Sequence, residues 1–351
     1  MNERLYRRRL AGATAVLLMA ACSVSPAHAQ GVADRVRRQT GLDTGQVTAT
    51  TPLGLTISKG GVESTVPAEE IESVTFGGEP PELNVARNAI EAGRAQDGLD
   101  ALAKIAADPG RRPEIVADIE YFTVLAKAQL ALSGQGATET AAAEVRGFVS
   151  RQNKSFHIPA AIELLGDLLS AAGQHSAART EYARLAKAKS KYYELRSTWL
   201  VGRTWQAEGD QEKALAEFDK VLASPESGTL VEPIKQSATL DRAVSQAAVG
   251  KVDEATATIG EIIAKASPED SKLLARAYNA LGDCYLKAND PKGALYSFLH
   301  VDLLFNKEAD AHAKALHELA TLWKTTGHAN RGQDAAAELA EKYPNSRWAK
   351  Q

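Results

Sequence analysis

The sequence predicts a mainly α protein: a helical solenoid of about seven helix pairs, preceded by a small β module. Three observations predict it. First, one spacing recurs in three segments. Gly166, Gly202 and Gly282 each follow an apolar residue, and Leu169, Trp205 or Tyr285 stands three positions later. Ala178, Ala214 and Ala294 stand twelve later, and Tyr182, Phe218 and Phe298 sixteen later. Two helices packed across a tight turn need small residues where their backbones touch and large ones beside them. Second, Ala is abundant and aromatic residues make up only 6% of the 351 residues, a composition suited to close helix packing. Third, a stretch from Gln46 to Phe76 changes to period two, the spacing of strands.

The elements follow in chain order. Arg4, Arg7, Arg8 and Arg9 precede an apolar run from Leu10 to Ala21, and Ala27-His28-Ala29 is a small-x-small end. This is the pattern of a secretory leader over 1–29, cleaved after Ala29. A run of twelve apolar residues is too short for a permanent span, which needs roughly 20. Leu18-Met19-Ala20-Ala21-Cys22 also resembles a bacterial lipobox, so lipidation of Cys22 and a membrane-anchored product is the alternative. Removing four Arg and one Glu with the leader takes the net charge from −3 to −6. An acidic chain makes a poor partner for nucleic acid, whose binding relies on basic surface against phosphate.

Residues 30–45 are polar and read as a flexible lead-in. Over 46–80, Val47, Leu53, Leu55, Ile57, Val62 and Val66 alternate with polar residues, and Gly60-Gly61 supplies a hairpin turn. Pro67 to Glu70 is a short turn, and Ile71, Val74 and Phe76 mark a last strand. Three or four strands are marginal alone, so this module is expected to lean on the first helices or on a second copy. Gly77-Gly78-Glu79-Pro80-Pro81 ends it.

From 82 to 346 the pattern is helical. With the three strong repeats as a ruler, Ala86/Gly98/Leu102, Ala243/Ala255/Ile259 and Ala320/Gly332/Ala336 fit the same offsets. Another pair fits loosely, from Asp118 to Leu132 and from Thr138 to Gln152. This array resembles the tetratricopeptide repeat (TPR), a helix-turn-helix unit that stacks into a right-handed solenoid. Tyr343-Pro344-Asn345-Ser346 looks like an ending frequent in periplasmic TPR proteins, and 347–351 form a C-terminal tail. The layout as a whole resembles exported TPR proteins of planctomycete bacteria, which implies no particular activity.

No residues announce a reaction. His317-Glu318 begins a zinc-protease pattern, but Thr321 stands where the second His belongs. Gly250-Lys251 lacks the rest of a phosphate loop, and Gly134-Gln135-Gly136 lacks a third Gly. His300, His312 and His317 are spaced so that they share no helix face. Glu338, Glu341 and Lys342 read as a solvated face. Asp210 and Asp290 stand where helices begin and read as caps. Once Cys22 leaves with the leader, Cys284 has no disulfide partner and reads as a packed thiol. No catalytic residue, metal or cofactor is expected, and the chain reads as a non-enzyme.

What remains is a surface. The TPR resemblance implies a concave groove lined by the first helix of each repeat. Here that helix carries Arg196, Trp199, Arg203 and Gln206, then Arg276, Asn279, Asp283 and Lys287, then Lys314, His317 and Lys324. Trp199 between two Arg has the composition of a binding hot spot if exposed. It can equally pack between neighbouring helices. The family's carboxylate clamp is not implied, because Arg203 and Asp283 replace its residues. The expectation is an exported scaffold that binds a protein or peptide partner in the groove, peripheral attachment to a membrane and the oligomeric state being left open. The alternative is an accessory or sensor subunit whose β module binds a ligand or membrane partner, with the array as spacer; an enzyme with an unrecognised site ranks behind both.

Overall fold

The structure is a computed structural model that describes residues 32–344, 346, 348 and 349. The expected leader, with Ala29 and Cys22, lies outside the described residues. Five strands open the fold: β1 Asp34–Arg38, β2 Gly41–Thr51, β3 Gly54–Lys59, β4 Val62–Pro67 and β5 Ile71–Thr75. They form one antiparallel sheet in the order β4-β3-β2-β1-β5. The meander therefore curls, and β5 returns to pair with β1 after a 3-10 turn at Ala68–Glu70. Gly60 and Gly61, both at positive φ, make the β3–β4 turn.

The stretch expected as a flexible lead-in is instead strand. β1 and the first half of β2 occupy it, and the sheet has five strands rather than three or four. The pattern hid them because Asp34, not an apolar residue, holds an inward position. Asp34 is 1% exposed. Its carboxylate accepts from the backbone N–H of Val47 and of Gly77, both at 2.6 Å, and from Arg112 at 2.8 and 3.0 Å. These bonds satisfy a group that would otherwise be costly to bury. Val47, Leu55, Ile57, Val66, Val74 and Phe76 face the core as their alternation suggests. Leu53 and Val62 do not. They sit beside turns and are 53% and 72% exposed.

Fourteen helices follow among the described residues: α1 Pro81–Glu91, α2 Ala95–Leu102, α3 Pro113–Leu132, α4 Thr138–Arg151, α5 Ile158–Ala171, α6 His175–Leu185, α7 Lys191–Glu208, α8 Gln211–Leu222, α9 Glu232–Ala248, α10 Val252–Lys265, α11 Ser271–Lys287, α12 Pro291–Leu304, α13 Ala309–Thr325 and α14 Ala329–Lys342. They pair as seven antiparallel hairpins, each packed on the next. Asp210 and Asp290 cap α8 and α12, accepting from the N–H of Lys213 and Gly293.

The recurrent spacing has a direct steric cause. A Cβ on Gly166 would lie 2.3 Å from the Tyr182 ring, on Gly202 2.7 Å from Phe218, and on Gly282 2.6 Å from Phe298. Each of these three repeats seats the aromatic of its second helix in the gap left by the glycine of its first. Ala178, Ala214 and Ala294 are fully buried beside them. Cys284 is also fully buried, and burial pushes its thiol up to about 12, which suits a packed side chain and not a nucleophile.

The sheet is not a separate module. Its apolar side chains are continuous with Leu83, Ala86 and Ile90 of α1 and with the core that runs on to α9. Polar ties reinforce the junction. Arg112 precedes α3 and grips Asp34, and Ser190, at the start of α7, donates to Glu69 at 2.6 Å. The segment leaving the sheet is clamped by Arg87. It donates to Glu79 at 2.6 and 2.8 Å and to Asp118 at 3.1 Å, while His157 meets Asp118 at 2.6 Å. His157 also stacks on Tyr121 at 3.8 Å. Burial alone would raise the Asp118 carboxyl, but His157 and Arg87 outweigh it and hold the carboxyl below its usual range. At the other end, Trp348 and Ala349 of the expected tail pack against the last apolar cluster.

Candidate functional site

The odd-numbered helices form one wall. α1 touches α3, α3 touches α5, α7 touches α9, α9 touches α11 and α11 touches α13. No two even-numbered helices of the described residues make comparable contact. Rows that converge on one side and diverge on the other curve the array, with the odd helices on the inner side. This wall carries the residues that the resemblance singled out.

Most of them are engaged in tying one repeat to the next. Arg196 of α7 reaches back to Glu163 of α5, with Nε at 3.0 Å from the carboxylate. Arg276 of α11 reaches Ser237 and Asp241 of α9, both at 3.2 Å. Lys314 of α13 pairs with Asp283 of α11. Asn279 is buried and donates to the Ala311 carbonyl at 2.9 Å. His317 is held by the Trp348 carbonyl at 3.0 Å. Gln206 donates to the backbone and to Ser245 of α9, at 2.8 and 2.9 Å. Lys287 and Lys324 are exposed.

Trp199 is not an exposed anchor. It is 4% exposed, and its indole N–H donates to Asp241 at 2.9 Å. The guanidinium groups of Arg196 and Arg203 lie 4.6 and 5.1 Å from its ring centre. The reason is geometric. α7 and α9 pack closely, and a large ring on the facing side of α7 fills the space between them while its one polar atom finds a buried acceptor. Arg203 alone of this trio opens to solvent. It is 49% exposed, and its nearest carboxylate oxygen, on Asp241, is 3.9 Å away.

Asp241 is the hub that the sequence reading missed. It serves Trp199 and Arg276 and draws Arg203. A signal was present. In the repeat register Asp241 stands where Leu164, Leu200 and Ala280 stand in other repeats, and all three of those are buried. A carboxylate at a core position demands partners, and the wall supplies them. Asp167 is a second such group. It accepts from the Tyr182 hydroxyl at 2.6 Å, and burial followed by the nearby Glu163 raises its carboxyl. The wall thus carries both signs interspersed, from Glu163 through Arg196, Arg203, Asp241, Arg276 and Asp283 to Lys314.

No protein-family model matches the chain, and no curated protein matches it. Among solved structures, it is similar to a tetratricopeptide repeat protein from Parabacteroides merdae, at 15% identity and a TM-score of 0.52, over 77% of this chain and 96% of that one. Weaker matches are a Rap protein complexed with competence and sporulation factor, at 12% identity and TM-score 0.48 over 76% of each chain, and PilW, a type IV pilus biogenesis factor, at 16% and 0.41 over 67% of this chain and 97% of that one. With the steric repeat and the inner wall, the first match defines the class: the chain folds as a TPR-type protein.

Proposed function

We propose that the protein is an exported, non-enzymatic scaffold of the periplasm or cell envelope that binds an extended segment of a protein partner along the wall of odd-numbered helices. The leader-like N-terminus supports export. The observation that carries the binding reading is Arg203, whose half-exposed guanidinium stands on the wall, loosely paired and braced by the Trp199 ring. Such a group is oriented yet free to take a carboxylate or a backbone carbonyl from a partner. The flanking ion pairs keep the wall rigid, which lowers the ordering cost of binding. The sheet fits a cap on the first helices better than an independent ligand-binding module, because it shares their core.

Affinity purification of the tagged protein from its native envelope tests this reading. Wild type should bring down a stoichiometric partner. Arg203→Glu should lose it while the melting temperature stays within a few degrees, since a loose, half-exposed pair contributes at most about 1 kcal/mol. Retention of the partner by Arg203→Glu would remove the wall from the account.

A further inference from the structure

The last two repeats bring together three groups that spacing alone kept apart. His312 of α13 is fully buried. Its Nε2 faces Asp302 of α12 at 2.9 Å, and its Nδ1 faces the Tyr343 hydroxyl at 2.8 Å. Glu338 of α14 closes the group, and one ligating atom each from Asp302, His312 and Glu338 lies within 4.8 Å of the other two. Two carboxylates held this close repel unless a cation lies between or beside them. Lys342 reaches Glu338 at 2.6 Å from the solvent side, and its side chain is 50% exposed, so it can leave.

We propose that Asp302, His312 and Glu338 form a binding site for a divalent transition metal such as zinc, which fastens the C-terminal end of the array. The donor set is one imidazole nitrogen and two carboxylate oxygens, which suits zinc, cobalt or manganese and leaves a position for water. The second shell is in place. With the metal on Nε2, the ring's single proton sits on Nδ1 and is donated to the Tyr343 oxygen, which fixes both tautomer and ring orientation. Asp302 and Glu338 are 23% and 38% exposed, so an ion has a way in, whereas His312 lies behind them. The three ligands come from three consecutive helices. Among the described residues the α13–α14 hairpin packs on one neighbouring hairpin, and a shared ion ties α14 to it.

The test is zinc titration of the full mature chain after chelator treatment, by calorimetry and by thermal melting. One zinc should bind and raise the melting temperature, and EDTA should reverse the rise. Glu338→Gln and Asp302→Asn should each weaken zinc binding at least tenfold. Glu338→Gln is half-exposed and should leave the metal-free melting temperature unchanged, so its result does not depend on folding. Tyr343→Phe should weaken binding roughly tenfold through the lost orienting bond. Cobalt should give the visible absorption of a low-symmetry nitrogen–oxygen site. Absence of zinc binding overturns the proposal. Equal binding by Glu338→Gln also overturns it, since the zinc would then be held by other histidines.

Discussion

Gly282 and Gly260 are both helical glycines, and the fold treats them oppositely. A methyl group on Gly282 would meet the Phe298 ring at 2.6 Å, whereas one on Gly260 would meet nothing within 4 Å. Gly282→Ala should therefore destabilise by about 1–3 kcal/mol through overpacking. Gly260→Ala should stabilise by up to about 1 kcal/mol through helix propensity. Chemical denaturation of the two variants checks the pair, and equal effects would contradict the repeat packing. Trp199 supplies a second residue-level prediction. Truncating this buried ring leaves a cavity and deprives Asp241 of a donor, so Trp199→Ala should cost about 3–5 kcal/mol. A melting temperature unchanged from wild type would show that the ring is exposed after all. At this scale the packing residues were legible because steric fit repeats with the chain, as at Gly166, Gly202 and Gly282. The roles of the wall residues were less so. Sequence placed Arg196, Trp199 and Arg203 on one helix but could not show which of them Asp241 would claim from the next.

Among the elements, helices were easier to read than the first strands. The pair α3 and α4 emerged from a loose fit, and the caps at Asp210 and Asp290 from their place after a turn. β1 escaped because its inward residues are Asp34, Val36 and Arg38, which carry no apolar alternation. Its burial depends on polar partners from β2, from the end of β5 and from Arg112, all distant in sequence. The clamp at Arg87, Glu79, Asp118 and His157 is of the same kind, and no local pattern announces it. It makes a pH prediction. The Asp118 carboxyl is held below its unfolded value, so it contributes stability that is present above about pH 4 and is lost as the pH falls further. Asp118→Asn should be destabilising at neutral pH, by about 1–3 kcal/mol, because Arg87 and His157 lose a buried charged acceptor while Glu79 still pairs with Arg87. Stability measured from pH 7 to pH 2 should fall less steeply at the acid end for the variant than for wild type. Identical acid slopes would remove Asp118 as the source.

For the molecule as a whole, the solenoid is held by nearest-neighbour contacts, and the inner wall adds a polar tie at successive steps: Arg196 to Glu163, Arg276 to Asp241, Lys314 to Asp283. Export has its own check. Intact-mass measurement of the protein recovered from the envelope should show a chain starting at Gln30, whereas a lipid-modified start at Cys22 would show that the other peptidase acts. On the proposed function, partners bind along the inner wall. Its competitor is the outer side of α12, where Tyr296, Leu303 and Leu304 are 64%, 69% and 66% exposed. A photo-crosslinking side chain placed in turn at positions 203 and 296, followed by irradiation in the native envelope, separates the two. Binding along the inner wall should give a partner adduct from position 203 and none from position 296. An adduct from position 296 alone would contradict it.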